Sequence, residues 1–452
     1  MNSPFRWLWT GAGLSNLGDG ITLTALPLIS LAAGAGPGEV ALVTTVATIA
    51  WPVFGLHAGW LVDRLSPQRL LAAVNGLRAL ALVGLSATIA FDSSVTIAVF
   101  AAAFVYGLAE TLVDTSLIAG IPRTVSRTKL TGANSRIEAT INIANQLAGP
   151  PLAGLLLGAT GLLAAASGGG LYALAAIAGI GLIRSMHRRA PGDCNANHDT
   201  DSGRTPGSSR SKSARDTSNQ RGLQRVREGM RFLWRHRLQR ELTLLTAAMS
   251  LVWGAWTATF VLYAVTPGPL NLSSAAYGWL LTAMAIGGII SSALTERLQA
   301  RFSTSALLFI DAIGTLGLVL PAALGAPLPI IIVGLVTAGA GSTIWRILVA
   351  VIRQQTTPNH LIGRVYSASR VVSWGALPLG AALAALGVET MGLPGVFWIS
   401  SGLSIGICGW LTAAMPRMQA RIAYAEAETT TTSAGAGANL FNPTVDKESN
   451  QA

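Results

Sequence analysis

The sequence predicts an all-α integral membrane protein of about twelve transmembrane helices arranged as two six-helix halves. Three observations predict it. Apolar stretches recur along the chain, each near the ~20 residues that a bilayer-spanning helix needs. Only 11% of residues are charged and 51% are hydrophobic, with a mean hydropathy of +0.51, whereas a soluble domain carries about 25% charged residues. Lys and Arg fall in every second gap between the apolar stretches, the pattern left when those gaps stay in the cytoplasm.

The elements follow in order. Arg6 precedes the first helix, 7–33, and the gap after it holds Glu39 but no Lys or Arg. The second helix, 39–62, is followed by Arg64 and Arg69, and the third, 69–91, by a gap with Asp92 alone. The fourth, 95–120, runs into Arg123, Arg127 and Lys129. An uncharged gap joins the fifth, 132–158, to the sixth, 162–184, and a basic stretch from Arg184 to Arg240 comes next. The seventh, 241–266, and eighth, 274–296, flank a gap without Lys or Arg, and Arg297 and Arg301 close the eighth. The ninth, 303–324, leads directly to the tenth, 327–353, which is followed by Arg353 and Arg364. The eleventh, 361–386, and twelfth, 393–413, enclose Glu389, and Arg417 and Arg421 come last. This alternation puts the N- and C-termini in the cytoplasm and the chain in the cell (plasma) membrane as a multi-pass protein.

Charge and cysteine content exclude several classes. The net charge of +11 comes from Arg in cytoplasmic gaps, where anionic lipid headgroups are the neighbours, so nucleic acid is not an expected partner. Cys194 and Cys408 lie at different depths and make no metal-like spacing. The apolar run at the N-terminus is too long for a cleaved signal peptide and reads as the first transmembrane helix. No HExxH, catalytic GxSxG or P-loop constellation is present, so neither an enzyme nor an ATP-driven pump is expected, and no cofactor or metal.

Four segments result. Residues 1–186 form the N-terminal six-helix half and 187–240 a cytoplasmic linker. The C-terminal half is 241–414, and 415–452 is a Thr-, Ala- and Gly-rich tail expected to be disordered. The linker begins polar and disordered. It then carries Leu223, Val226, Met230, Leu233 and Trp234 at helical spacing among arginines, a basic amphipathic helix expected to lie on the membrane surface. The halves echo one another: Asp63-Arg64-Leu65 matches Glu296-Arg297-Leu298 at an offset of 233 residues, which Gly55 and Gly288 share. Such a parallel repeat belongs to transporters built from two six-helix halves.

Ionisable groups at membrane depth face a cavity or a partner. Asp19 lies ~18 Å into the first helix, with Ser15, Asn16 and Thr22 on its face. It reads either as a structural pair or as a proton or substrate site. Glu110 and Asp114 stack four apart on the fourth helix, where each hinders ionisation of the other, a property suited to proton coupling. An Arg partner would remove it. Arg346 on the tenth helix matches Asp114 in depth, and Arg78 on the third is also available. Coupling, a structural pair and contact with a cationic substrate all remain open for these carboxylates. Trp253, Trp256 and Phe260 on the seventh helix, with Tyr263, Trp345 and Trp374, are candidates to wall an aromatic cavity. The fifth helix carries Gly149-Pro150-Pro151, which predicts a kink, and Gly154 and Gly158 permit close approach of a neighbour.

Three motifs carry a resemblance. Gly59-Trp60-Leu61-Val62-Asp63-Arg64-Leu65, closing with Arg69, resembles the signature loop between the second and third helices of the major facilitator superfamily. It departs from that signature at Ser66 and at Pro67-Gln68. Gly149-Pro150-Pro151-Leu152-Ala153-Gly154 is similar to the end of the antiporter motif of its drug:proton antiport branch, without that motif's upstream glycines. Glu228-Gly229-Met230-Arg231-Phe232-Leu233-Trp234-Arg235-His236 looks like the segment before the seventh helix in macrolide-efflux and enterobactin-export proteins. The resemblance implies the major facilitator fold and a secondary transporter. It implies proton-driven efflux of a small amphipathic drug or metabolite by a monomer, with a nutrient:proton symporter as the alternative. It also implies a cytoplasmic gate in which Asp63 meets the N-terminus of the eleventh helix near Leu361–Arg364, where backbone N–H groups stabilise a carboxylate.

Overall fold

A computed structural model of the chain describes residues 3–126, 129–187, 227–358 and 361–439, leaving aside the side chains of 56–60, 62, 63, 118, 131 and 421–439. Those residues are helical, with no strand beyond one isolated bridge between Val265 and Leu272. In the first half the helices are α1 (Ser3–Ala32), α2 (Pro37–Arg64), α3 (Pro67–Ala90) and α4 (Val95–Gly120). A fifth crossing built from α5 (Leu130–Ile141) and α6 (Gly149–Ala159) precedes α7 (Gly161–His187). The short helix α8 spans 227–235. The second half holds α9 (Arg237–Ala264), α10 (Ser274–Gln299), α11 (Thr304–Ala323), α12 (Leu328–Thr356) and α13 (Ile362–Asn439). Nine helices among the described residues are long and apolar enough to span a bilayer; α1, the composite fifth crossing and the second arm of α13 bring the crossings to twelve.

Local chemistry accounts for several boundaries. Pro stands in the first turn of α2, α3 and α12, where its missing N–H costs nothing. Ser273 and Ser303 cap α10 and α11 by accepting from the backbone N–H three residues on. The predicted eleventh and twelfth helices are continuous in α13 except at Gly392, whose φ of 74° breaks the helix where the sequence placed a loop. Residues 415–439, expected to be disordered, continue α13, and the run Ala420 to Glu428 is rich in strong helix formers.

Within the first half α7 packs on α1 and α3, and α4 on α2 and α3. Two apolar cores form there, one around Leu26, Leu82, Val99 and Tyr172, the other around Leu8, Val74, Val113 and Leu182. In the second half α9 packs on α13, and α12 on α10 and α11, around one large core. The halves meet through α2 against α13 and α9, and α6 against α10.

The linker helix packs against the second half. Leu233 of α8 is buried against Leu361 and Val365 at the start of α13, with Met230 and Phe232 packed beside it, and Glu228 pairs with Arg364. Met230 and Leu233 of its apolar face therefore pack on protein, while Trp234 of the same face is 41% exposed. Leu223 and Val226 lie outside the described residues.

Candidate functional site

The ionic centre of the first half is Arg78, buried in the third crossing where the two apolar cores meet. Its guanidinium contacts Asp19 at 2.8 Å and Glu110 at 2.7 Å, while the side chains of Arg78 and Asp19 are each 1% exposed and that of Glu110 13%. Arg78 also donates to Ser15 Oγ at 3.2 Å and lies over the rings of Tyr106 and Tyr172. The Tyr172 hydroxyl donates to Asp19 Oδ1 at 2.8 Å. Arg78 can reach two carboxylates because its planar fork presents donors in two directions. Two carboxylates on one guanidinium leave one charge unbalanced, and a single proton would cancel it.

This arrangement revises the pairing expected from depth alone. Asp114 does not meet Arg346. It faces Arg370 of α13 across the two halves at 4.0 Å, both side chains 47% exposed. Glu110 and Asp114 are thus directed to different partners despite sharing a helix face. Ser15, Asp19 and Thr22 of the polar face of α1 are buried toward α3 and α7 rather than facing the space between the halves, and Asn16 donates to the Ala12 carbonyl of its own helix.

That space is a central cavity of about 310 Å³. Gly20, Thr24 and Thr44 line it from the first half, with Asn145, Gln146 and Pro150 of the fifth crossing. Trp253, Trp256, Tyr277, Met284, Ser342 and Arg346 line it from the second. Of the aromatic candidates, Trp253 and Trp256 do wall the cavity, edge to face at 6.2 Å. Phe260 is buried behind Trp256 in a stack at 4.7 Å, and Trp345 lies in the core with its indole donating to Thr246. Trp374 packs on Trp51 of α2, with Arg370 over its ring. The sequence reading missed Tyr277 and Met284, which carry no charge to mark them. It also missed Asp311 of α11, 4% exposed with Oδ1 lacking a partner among the described residues. A carboxylate in the apolar run from Leu307 to Leu320 was the same signal that marked Asp19.

Where the sequence predicted a kink in the fifth crossing, a π segment, Asn142–Ala148, stands directly before Gly149. Pro150 and Pro151 have no N–H for the carbonyls a turn earlier, and the widened segment absorbs the mismatch. It brings the crossing close on two sides. A Cβ on Gly149 would strike the backbone of Gly20 in α1, and one on Gly154 the backbone of Ser274 in α10. A Cβ on Gly278 would in turn strike the Pro150 carbonyl. Gly158 meets nothing within 4 Å.

The α6–α10 contacts lie away from the face that carries the N-terminus. On the same far side, the Glu389 carboxylate accepts from Gly38 N at 2.8 Å, in the first turn of α2. Ala41, Ala258, Ala381 and Ala385 form a small buried cluster between α2, α9 and α13. Toward the N-terminal face, the ionic contact across the halves among the described residues is the long, half-exposed Asp114–Arg370 pair. Of the signature loop, the side chains of Gly59 and Asp63 lie outside the described residues, and Arg64 and Arg69 are exposed. Arg364, near which Asp63 was expected, pairs with Glu228.

A family model described as the Major Facilitator Superfamily matches residues 8–376. The chain is 26% identical to the protein named multidrug efflux pump Tap of Mycolicibacterium fortuitum, over 92% of this chain and 96% of that one. It is 23% identical to the protein of the same name in Mycobacterium tuberculosis (strain ATCC 25618 / H37Rv), over 89% and 91%. Its fold matches a bacterial homologue of the iron transporter ferroportin in an inward-facing state, with a TM-score of 0.68 at 14% identity over 92% and 98% of the chains. It also matches the nucleoside transporter NupG, with a TM-score of 0.64 at 16% identity over 91% and 99%.

Proposed function

The chain belongs to the major facilitator superfamily, and we propose that it exports a small amphipathic organic compound by alternating access, driven by protons moving the opposite way. As a member it is a secondary transporter of a small molecule, a multi-pass protein of the plasma membrane rather than an enzyme. Export is the direction named for the mycobacterial relatives.

The observation that carries the reading is the central cavity, lined by both halves. The halves join closely on the far side through α6–α10 and Glu389–Gly38, whereas the ion pair across them toward the N-terminal side, among the described residues, is the long Asp114–Arg370 contact. With both termini in the cytoplasm, as the charge alternation requires, this is the state that takes up compound from inside. Rocking the halves about the cavity would close the N-terminal side and part the far seam. One chain supplies both walls, so a monomer suffices. The proton site is the Arg78 cluster, whose two carboxylates and one guanidinium differ by one charge.

Inverted membrane vesicles carrying the protein, offered a panel of amphipathic compounds, test the reading. At least one compound should accumulate when the membrane is energised, release protons as it is added, and leave when a protonophore is supplied. Accumulation in intact cells instead would establish the symport direction, and accumulation untouched by the protonophore would exclude the proton.

A further inference from the structure

We propose that the cavity is built for an aromatic organic anion, with the Arg346 guanidinium receiving its carboxylate; this rests on the export reading for the cavity's use, though not for its chemistry. Among the described residues lining the cavity, Arg346 is the only one that carries a formal charge. Its side chain is exposed, and none of the ion pairs among the described residues includes it. The carboxylates that could have neutralised it are committed or set back. Asp19 and Glu110 are held by Arg78, and Asp114 faces Arg370. Asp311 feels the Arg346 charge, but it is buried on α11 and takes no place in the cavity wall.

One donor of the remaining wall is unmatched among the described residues. The indole N–H of Trp256, a residue 4% exposed in the cavity wall, has no acceptor among the described residues. Ser342 and Thr343 lie one turn before Arg346 on the same wall of α12. A carboxylate fits this set, since a guanidinium binds it through two parallel hydrogen bonds and a nearby hydroxyl can serve a further lone pair. A cation would meet the Arg346 charge with no carboxylate in the wall to offset it, in a medium where like charges repel strongly. The body of the ligand follows from the rest of the lining. Trp253, Trp256, Tyr277, Leu281 and Met284 offer rings and a thioether on one side, and a cavity of about 310 Å³ admits a ligand of one or two fused rings with a short side arm.

Three probes sharing one aromatic body separate the charge from the shape: naphthylacetate, the neutral naphthylacetamide and cationic naphthylmethylammonium. Binding is measured by calorimetry on the purified full chain in nanodiscs, with no ion gradient, so the result does not depend on direction or coupling. Naphthylacetate should bind about tenfold or more tighter than the amide, and the cation weakest of the three. Arg346→Gln should erase the preference for the acid, its affinity for naphthylacetate falling to about that for the amide, and residual binding of the amide shows the cavity is intact. Arg346→Lys, which keeps the charge and loses the fork, should retain a reduced preference. The proposal is overturned if the cation binds as well as the acid, if Arg346→Gln keeps the acid preference, or if none of the three binds. A preserved acid preference in a protein that moves nothing in energised vesicles would instead overturn the export reading alone.

Discussion

Arg78 and Asp19 form an ion pair of 2.8 Å between α3 and α1 in which each side chain is 1% exposed. A pair this buried is stabilising mainly in the sense that neither partner can be removed alone, because the other is left uncompensated in a medium of low dielectric. Arg78→Leu should therefore lower the stability of the detergent-solubilised protein by about 3–5 kcal/mol. Arg78→Lys should fall between that variant and the parent, since an ammonium cannot span both Asp19 and Glu110 as the fork does. Thermal unfolding followed by intrinsic fluorescence checks the order; an unchanged midpoint for Arg78→Leu would contradict it.

Asp114 should behave in the opposite way. Its contact with Arg370 is long and both side chains are half-exposed, the geometry of ion pairs worth about 0–1 kcal/mol. Asp114→Asn is expected to express and unfold like the parent. A loss as large as that of Arg78→Leu would mean that Asp114 has a buried partner in another state of the cycle.

The contrast between these two carboxylates shows what the sequence could and could not convey. Arg and Lys in alternate gaps were enough for twelve crossings and two halves, because the cost of moving basic residues across a bilayer is written into loop composition. Asp19 and Glu110 were legible as intramembrane charges for the same reason. Their common partner was not. Depth along a helix follows from residue count, but the direction a side chain faces depends on how helices are rotated against one another. Arg346 therefore matched Asp114 in depth while lining a different space. Glu389 was read only as a loop charge, since its acceptor role depends on the N-terminus of α2, 351 residues away in sequence, folding next to it. The amphipathic pattern of α8 was visible, but pattern alone does not distinguish a lipid surface from the Leu361 and Val365 side chains that cover it.

Glu389 should act as a latch on the far side. Its carboxylate accepts from Gly38 N in the first turn of α2, where the helix dipole favours a negative charge by about 0.3–2 kcal/mol. That contact joins the two halves, so it favours the state in which they are closed there. In Glu389→Gln, spin labels placed at the far end of α2 and beside the Gly392 break of α13 should show a larger population at long distance, with unfolding unchanged. An identical distance distribution would remove Glu389 from the gate.

Orientation is open to a direct check. A reporter active only in the cytoplasm should function when fused after Arg189 and be silent when fused within 266–273, since the first site follows basic residues and the second gap has none. Activity at both sites, or at neither, would contradict the twelve-crossing arrangement with cytoplasmic termini.

The central claim, that a proton moving through the Arg78 cluster drives export, is tested most directly by comparing two modes of transport in proteoliposomes. Glu110 is the cluster member with access to solvent, its side chain 13% exposed against 1% for Asp19, so it is the one placed to exchange a proton. Glu110→Gln keeps the size and a hydrogen bond to Arg78 while fixing the site in a form that cannot gain or lose a proton. Exchange of labelled for unlabelled compound at equal pH should proceed at close to the parental rate, whereas accumulation driven by a pH gradient should be lost. Asp19→Asn should show the same split wherever it folds. Full gradient-driven accumulation by both amide variants would contradict the account.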